Sequence, residues 1–551
     1  MKDKQTGASA GYDAWTRYWA DVAWRSVATM DTLRQRAFDM QAHEAAGMPP
    51  LLHFDAEQVA DAHEFHPPSN YRLLRITRCG TDHWEQHIRH GAAPVIVVDP
   101  RAGHGPGIGG FKRDSEVGMA LLEGHPVYFV VFDPEPVEGQ TLGAVIASLA
   151  RFIDIVAQRH RGAPPIVYGN CQGGWAVTMA LSHCERQAGL AVLNGSPLSY
   201  WAGESQVNPM RLAGGFTGGA WLVHLLADLG GGRFDGAWLV QNFESLRPEG
   251  VFGKYDALFA HPESERDRFL EFERWWGGFY FLGREEILSI VRDLFIGNRL
   301  QTGEVMVDDH CHADLKRIRS PLVIFSSHGD NITPPHQALA WLRSVYPATN
   351  DLIAAGQRIV YLTHASVGHL GIFVSASVAR REHLAVLRHA KAIGALPPGL
   401  YEMMLDDGDL GGAAKARFEP RRLEEVVYEP NPAGFERVRT LSEQLDTLYS
   451  RWVSPWVQAM AAPAGARLME QLHPMRTSRL MWSPQVVPAL AWLPWLSSAL
   501  EAAGAADPQR DGNPWYAAER SVSRVAAQSI ESWRSMRDHG AEAAFEALYP
   551  R

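Results

Sequence analysis

The stretch PPIVYGNCQGGWAVTMA, from Pro164 to Ala180, decides the fold of this chain. An apolar strand pattern ends at Asn170, a cysteine follows, and the remaining residues are typical of a helix. A strand, a sharp turn and a helix around a Gly-x-nucleophile-x-Gly frame predict a nucleophile elbow, with Cys171 above the carboxyl edge of a sheet. Gly169 and Gly173 leave room for the turn, and the positive end of the helix favours the thiolate.

Short apolar runs alternate with helix-like stretches on both sides of this elbow. Near-continuous apolar strands joined by helical crossovers predict a mainly parallel sheet covered on both faces, which is an α/β fold. The predicted strands are YRLLRIT, PVIVVD, PVYFVVF, PIVYGN, LAVLNGS, PLVIFSS and QRIVYLTH.

Two other strand ends carry the partners that a cysteine nucleophile needs. Asp330 follows the strand PLVIFSS, and His369 lies in a glycine-flanked loop after QRIVYLTH. The chain order cysteine, acid, histidine, each just past a different strand, predicts the triad of an α/β-hydrolase fold. His369 is the expected base and Asp330 orients it. The rivals for these two roles are His328, His364 and Asn331.

The oxyanion donors are expected on two backbone segments. The N–H of Gln172 opens the helix behind the nucleophile and supplies the first donor. The loop RAGHGPGIGG, residues 101–110, faces the nucleophile in this fold, so a backbone N–H near Arg101 or Ala102 is the expected second donor. The side chains predicted to contact substrate are His104, Trp175, Trp275 and Trp276.

Two further patterns are interpreted as structural. The run Gly105–Gly110 is a literal G-x-G-x-x-G, but Asp99 to Ala102 separate it from its strand. The next helix opens only near Asp114 or Ser115, too late to hold a pyrophosphate. The run DDHCHAD, residues 308–314, has adjacent rather than spaced ligand types, which favours a polar loop over a metal site. We therefore expect neither a metal nor a cofactor.

Composition narrows the class of function. With 551 residues, a net charge of −10 and no long basic block, the chain predicts several structural units and no nucleic-acid partner. Its four cysteines are too few and too scattered for a disulfide framework, so a reducing cytoplasm is the expected location. Neither a signal peptide nor a spanning helix is predicted, and the apolar run over 486–500 is interpreted as buried or interfacial.

The expected organisation has five parts. An amphipathic pattern that ends near GMPPLL predicts a helical N-terminal extension. A Gly- and aromatic-rich insertion interrupts the α/β alternation and predicts a cap, and the strands are expected to stop after ALPPGLYE. The predicted parts are the N-terminal extension 1–70, the core 71–200, the cap 201–315, the second core segment 316–395 and the helical C-terminal region 396–551.

The choice of cysteine over serine bears on the reaction. A thioester that acylates serine becomes an oxygen ester and loses acyl-transfer potential. A thioester that acylates Cys171 becomes another thioester, so the acyl group stays activated for a second acceptor. This favours a transferase or a thioester-processing enzyme over a simple lipase, although water admitted to the site can complete a hydrolysis.

The motifs also resemble those of known proteins. YGNCQGGWA resembles the Gly-x-Cys-x-Gly-Gly box of polyhydroxyalkanoate synthases, and GDNITPP and VGHLGIF resemble their acid and histidine motifs. Stretches such as GSPLSYWAGES and FERWWGGFYFLGREEI are similar to a bacterial family labelled poly-3-hydroxyalkanoate synthetase-like. Where the synthases usually have histidine after the acid, this chain has Asn331.

The resemblance implies an acyltransferase that forms a cysteine acyl-enzyme from hydroxyacyl thioesters, with an acyl-CoA or a hydroxyalkanoate polyester as substrate. Two alternatives stay open: a cysteine hydrolase (an intracellular polyhydroxyalkanoate depolymerase or a thioesterase) and a non-catalytic granule-associated protein. Homo-oligomers and association with a granule or membrane surface are also left open.

Overall fold

The chain was analysed as a computed structural model. It describes residues 2–80, 82–83, 87–183, 188–205, 207–308, 311–406, 415–426, 432–507 and 510–550. The described residues fall into two compact units. The first, here called the sheet unit, is built from Pro50–Gly236, Tyr280–Ala466 and Gly540–Arg551. The second, here called the helical unit, is built from Met1–Pro49, Ala237–Phe279 and Arg467–His539.

The sheet unit contains a large central sheet with the strand order β1-β2-β5-β4-β6-β7-β12-β13-β14-β15, and β3 pairs with β2. Neighbouring strands from β5 to β14 in this order are parallel, whereas β1, β2 and β15 are antiparallel to their neighbours. This crossed order with an antiparallel second strand is the α/β-hydrolase fold. The strands of this sheet are β1 Asp55–Asp61, β2 Tyr71–Cys79, β3 Asp82–His83, β4 Val95–Val98, β5 Val127–Phe132, β6 Ile166–Asn170, β7 Leu190–Asn194, β12 Leu322–Ser327, β13 Arg358–His364, β14 Gly399–Leu405 and β15 Ala416–Arg421. Two separate two-stranded sheets are formed by β8 Arg233–Asp235 with β9 Phe281–Gly283 and by β10 Met306–Asp308 with β11 Cys311–His312.

Helices flank this sheet and build the helical unit. The α-helices are α1 Lys2–Ala45, α2 Glu116–Leu122, α3 Leu142–Arg159, α4 Gln172–His183, α5 Ala213–Thr217, α6 Trp221–Leu229, α7 Ala237–Leu246, α8 Pro248–Ala260, α9 Pro262–Trp276, α10 Arg284–Ser289, α11 Pro335–Leu339, α12 Trp341–Val345, α13 Thr349–Ala354, α14 His369–Val374, α15 Ala376–Val378, α16 Leu384–Ala395, α17 Pro432–Trp452, α18 Ser454–Met460, α19 Pro463–Gln471, α20 Pro474–Leu480, α21 Leu493–Ala502 and α22 Pro514–Leu548. Two π-helical turns span Ile290–Ile296 and Ala379–His383.

The central strands form because their residues are apolar on both faces. Every residue of β4, β5, β6, β7 and β12 is buried, as expected for parallel strands covered on both sides. The N-terminus of the crossover α3 is capped by Thr141, whose hydroxyl accepts a hydrogen bond from the Ala144 N–H at 3.1 Å. Its buried residues recur at helical spacing, so this helix covers the sheet with one apolar face.

The helical unit is held together by an apolar cluster and by buried charges. Leu33, Leu258 and Phe269 form a buried cluster. The Arg25 guanidinium donates to Asp21 at 2.7 Å and to both carboxylate oxygens of Glu519 at 2.7 Å. Since each charge in this set has an opposite partner, the desolvation cost of burying it is offset.

Three strands correct the predicted organisation. β1 lies inside the predicted helical extension 1–70, and β14 and β15 lie inside the predicted helical region 396–551. β1 and β15 are edge strands with mostly exposed or half-buried side chains, so they lack the apolar runs that identify the central strands. The predicted cap is also divided, because residues 237–279 belong to the helical unit.

The apolar run over 486–500 forms part of a surface of the helical unit. Leu493 is buried, whereas Trp492 and Trp495 are 69% and 66% exposed, so of the two alternatives, buried or interfacial, the run is not a buried segment. Pro488 begins a short 3₁₀ turn, Pro494 is the second residue of α21, and the two prolines interrupt the run. Among the described residues, no helix is both long and apolar enough to cross a membrane.

Candidate active site

Cys171 occupies a strained turn between β6 and α4. Its φ angle of 49° lies in the left-handed region, which a residue with a side chain adopts only when its surroundings impose it. The Cys171 N–H donates to the Asn194 carbonyl at 2.8 Å, and the Cys171 carbonyl accepts from the Gly174 N–H at 3.0 Å. These two bonds tie the turn to β7 on one side and to α4 on the other.

Three glycines make this turn sterically accessible. A Cβ atom on Gly169 would lie 2.6 Å from the Gly174 Cα. A Cβ on Gly173 would overlap the Val98 carbonyl oxygen, and one on Gly174 would overlap the Ser196 side chain. Because these three positions carry no side chain, the elbow can pack closely against its own helix, the end of β4 and the loop after β7.

A methyl group at position 174 should destabilise the sheet unit. We expect Gly174→Ala to lower the free energy of unfolding by about 3 kcal/mol because Ser196 must move. Gly394→Ala is the control, since Gly394 also lies in a helix and nothing lies within 4 Å of its added Cβ. Urea unfolding measures both. Removing the obstacle with Ser196→Gly should recover part of the loss, and equal stability of the two alanine variants would contradict the packing argument.

Asp330 and His369 meet at the carboxyl edge of the same sheet. The His369 Nδ1–H donates to Asp330 Oδ2 at 2.7 Å, and both side chains are buried. Asp330 Oδ1 accepts the backbone N–H groups of Ile332 and Thr333, each at 2.8 Å. The acid is thus held by its own loop while one oxygen remains for the imidazole.

His369 interacts electrostatically with both Asp330 and Cys171. Burial disfavours its charged form, but the negative charges of Asp330 and Cys171 and hydrogen bonds to both outweigh burial and raise the pKa of His369 to about 10. Because Nδ1 is occupied by Asp330, Nε2 is the nitrogen available to the sulfur. The structure therefore places the His369 ring in interaction with Asp330 on one side and with Cys171 on the other.

The two segments on which oxyanion donors are expected are the start of α4 and the loop after β4. Gln172 is the first residue of α4, where the backbone N–H has no partner in the preceding turn. The end of β4 abuts Gly173 through the Val98 and Asp99 carbonyls, and Arg101 and Ala102 follow in the next residues of the loop, both buried. The Arg101 guanidinium itself pairs with Glu286 at 2.6 Å, so only the Arg101 backbone is a candidate donor.

The predicted substrate-contacting residues divide between the units. His104 is buried close to His369; burial and the charge of His369 lower its pKa to about 4, against a hydrogen bond to the Gly105 carbonyl. Trp175 is buried one turn after Gln172 in α4. Trp275 and Trp276 belong to the helical unit, where they are buried and pack against the Phe272 ring.

Tyr200 is a buried residue that sequence patterns did not single out as a candidate site residue. Its hydroxyl is buried without a hydrogen-bond partner among the described residues. Burial, followed by the charge of Cys171, raises the pKa of Tyr200 well above its usual value, so this phenol lies within electrostatic range of the sulfur. Asn298 fixes its backbone, accepting the Tyr200 N–H at 2.7 Å. Tyr200 lies in the stretch GSPLSYWAGES, which at the level of sequence supported only a family resemblance and gave its tyrosine no role.

The alternative roles are resolved by the same geometry. His364 Nδ1 accepts the N–H groups of Ser366 and Val367, and His328 is an exposed residue after β12. Asp330, not Asn331, bonds to His369. In the described part of DDHCHAD, Asp308 and Cys311 belong to the β10–β11 hairpin, while residues 309 and 310 lie outside the described residues. No group of three metal-ligating side chains occurs in the described residues.

A buried polar cluster lies directly beneath the elbow. Asn170 Nδ2 and Asn194 Nδ2 donate to the two Glu116 oxygens at 2.6 and 2.8 Å. Asp99 accepts the N–H groups of Gly107 and Gly109 at 2.6 and 3.1 Å. Burial, reinforced by the charge of Asp99, raises the pKa of Glu116 to about 8 against the two amide hydrogen bonds. Asp99, Asn170 and Asn194 lie at the ends of the neighbouring strands β4, β6 and β7. This pattern was the sequence signal that could have indicated the cluster, although no prediction was based on it.

The raised pKa of Glu116 predicts a pH dependence of stability. Its usual value is 4.5, so between pH 4.5 and about 8 the folded protein keeps a proton that the unfolded chain releases. Folded stability from this group therefore falls with rising pH across that window, by at most about 1.4 kcal/mol per pH unit. We expect Glu116→Gln to gain stability over wild type between pH 5 and pH 8 in urea unfolding. If the stability curves of wild type and Glu116→Gln ran parallel across this pH range, the assignment would be contradicted. Glu123→Gln, at the other end of α2, is the control.

Comparison with known proteins identifies the family. A family described as "Protein of unknown function (DUF3141)" matches residues 21–551. The chain belongs to this family. It is 41% identical over 553 residues to a Rhizobium meliloti protein described as "Uncharacterized protein in ackA 5'region", covering 98% of this chain and 74% of the relative.

Solved structures with similar chain folds include two esterases. An esterase from Thermogutta terrifontis (malate bound) is 11% identical with a TM-score of 0.34, covering 62% of this chain and all of that chain, 100%. Naproxen esterase from Bacillus subtilis is 11% identical with a TM-score of 0.34, covering 62% and 94% of the two chains. At this level of similarity neither esterase bears on the substrate of this family member.

Proposed function

We propose that this DUF3141 protein is an acyltransferase that forms a thioester between Cys171 and the acyl group of a hydroxyacyl thioester. The observation that carries the proposal is the left-handed turn at Cys171 beside a His369–Asp330 pair with a 2.7 Å hydrogen bond. A nucleophile, a base and an orienting acid on three strand ends are the parts that acyl transfer needs.

The first half of the reaction transfers the acyl group to the protein. His369 Nε2 takes the proton of the Cys171 thiol, and the sulfur attacks the thioester carbonyl. The backbone N–H of Gln172 and one from the loop after β4 hold the oxyanion. The tetrahedral intermediate expels the carrier thiolate, which takes the proton from His369. The product is an acyl-cysteine thioester with the base returned to its neutral form.

The second half returns the enzyme to its starting state. An acceptor hydroxyl gives its proton to His369 Nε2 and attacks the acyl-cysteine carbonyl. Cys171 leaves as a thiolate and recovers the proton from the imidazolium. Because thioester exchange in the first half is close to isoenergetic, the acyl group reaches the acceptor with its transfer potential intact. A hydroxyl at the end of a growing hydroxyalkanoate chain is the acceptor that the cysteine and the motif resemblance favour.

Intact mass spectrometry after incubation with acyl-CoAs tests the proposal. We expect a mass increase equal to the acyl group with 3-hydroxyacyl-CoA, located on Cys171 by peptide mapping. Cys311→Ala is the matched control, because Cys311 is another free thiol in the sheet unit and its loss should leave the adduct unchanged. An unmodified wild-type protein with all acyl-CoAs tried would refute acyl-enzyme formation.

Product analysis separates transfer from hydrolysis. Lengthened hydroxyalkanoate chains are the expected product, whereas free hydroxy acid as the sole product would assign the protein as a cysteine hydrolase with the same three residues. The non-catalytic alternative would instead be favoured if the protein bound granules or membranes and showed no turnover that depends on Cys171.

A further inference from the structure

We propose that Glu116 is a positioning residue that joins the nucleophile turn, the oxyanion loop and the helix of His369 into one arrangement. The inference rests on the proposed function, since it concerns how the same three catalytic groups are held. Glu116 touches neither the reacting atoms nor the base. It acts through Asn170, Asn194 and His383.

The link to the nucleophile runs through two asparagines. Asn170 immediately precedes Cys171, and Asn194 ends the neighbouring strand β7 and accepts the Cys171 N–H. Glu116 takes one amide group from each of them, and Asn194 Nδ2 also donates to Asn170 Oδ1 at 3.2 Å. The carboxyl group therefore bridges the two strand ends that impose the left-handed conformation on Cys171.

The link to the oxyanion loop runs through Asp99. Asn170 Nδ2 lies 3.4 Å from Asp99 Oδ1, and Asp99 accepts the N–H groups of Gly107 and Gly109. A Cβ on Gly109 would lie 2.9 Å from Glu116 Oε2 and 2.9 Å from Asn170 Nδ2, so this loop packs directly on the cluster. The distance between the nucleophile and the loop after β4 is thereby set by shared hydrogen bonds rather than by loose packing.

The link to the base runs through His383, which packs beside Glu116 without a hydrogen bond between the two side chains. His383 Nε2 lies 3.7 Å from Glu116 Oε1 and donates to the Ile372 carbonyl at 2.8 Å. Ile372 belongs to α14, whose first residue is His369. Burial lowers the pKa of His383 to about 4, against its hydrogen bond to Ile372, so His383 meets Glu116 as a neutral ring.

The charge state of Glu116 gives the arrangement a chemical consequence. The groups that face it are Asp99, Tyr168, His383 and the two asparagine amides. None of these is a cation at neutral pH, and burial keeps the carboxyl protonated there. A neutral group behind the elbow adds no repulsion to the oxyanion that develops above it. Ionisation above pH 8 adds a negative charge at this position and should slow acylation.

The pH profile of acylation tests the proposal. We would follow the burst of nitrophenolate from p-nitrophenyl butyrate between pH 6 and pH 10 and subtract the rate of Cys171→Ala. Wild type should lose about tenfold in burst rate above pH 8, and Glu116→Gln should keep its rate because glutamine cannot ionise. Glu116→Ala should be about tenfold slower at every pH, as the bridge is lost. Glu123→Gln, also in the region of α2 but paired with Arg388, should follow wild type.

Superimposable burst profiles of wild type and Glu116→Gln would overturn the role of Glu116 while leaving the acyl-enzyme proposal intact. If Cys171→Ala releases nitrophenolate as fast as wild type, the acyl-enzyme proposal fails, and alkylation of Cys171 by iodoacetamide decides the question for Glu116. A step in the alkylation rate near pH 8 that is present in wild type and missing in Glu116→Gln would support positioning. Identical alkylation profiles would overturn it.

Discussion

Cys171→Ala is expected to reduce acyl-CoA turnover by roughly 10⁵- to 10⁶-fold, the scale seen when a catalytic nucleophile is removed. The reason is that Cys171 is the thiol that interacts with the expected base His369, so its loss removes the proposed attacking atom. Release of the CoA thiol under saturating substrate measures the effect. Alanine keeps the backbone turn and fills less space, so the variant should fold.

The serine variant sharpens this result. Cys171→Ser should still be acylated, more slowly, because a hydroxyl is harder for His369 to deprotonate than a thiol. Its acyl group would be an oxygen ester with less transfer potential, so we expect chain lengthening to fall more than acylation does. Cys311→Ala is the control and should lose no turnover in the same assay. If Cys171→Ala retained wild-type turnover, the elbow would have no nucleophilic role.

Asp330→Asn is expected to lower the acylation rate by roughly 10⁴-fold, since an orienting carboxylate also fixes the tautomer of its histidine. Asp330 Oδ1 is occupied by the N–H groups of Ile332 and Thr333. An asparagine must keep its oxygen there and turn its amide nitrogen toward His369 Nδ1. That contact forces the imidazole proton onto Nε2. A protonated Nε2 faces the sulfur but cannot accept the thiol proton.

The burst rate and the tautomer both test this prediction. Nitrogen chemical shifts of His369 should report a proton on Nε2 in Asp330→Asn and on Nδ1 in wild type with the ring neutral. His328→Gln is the control, because this exposed histidine was a rival base and its loss should leave the rate unchanged. If His328→Gln lost most of the burst rate and Asp330→Asn lost little, the base would be His328 rather than His369.

Local sequence alone determined the elbow and the order of the three candidate catalytic residues. Gly169 lies near the end of the apolar strand β6, and Cys171 and Gly173 follow in the turn and helix, which is the local pattern of a nucleophile elbow. Asp330 and His369 each follow an apolar strand, and parallel strands deliver their carboxyl ends to one edge of a sheet. These properties are set by residues that are close together in the chain.

Tertiary structure alone decided what supports the elbow. Glu116 bonds to Asn170 and Asn194 from 54 and 78 residues away, and nothing in the segment around Glu116 indicates such partners. The edge strands β1 and β15 were missed for a related reason, because pairing at an edge requires backbone groups rather than apolar side chains. Buried polar pairing and edge pairing are selected by the neighbours that folding supplies, whereas apolar strands and glycine turns carry their conformational preference within themselves.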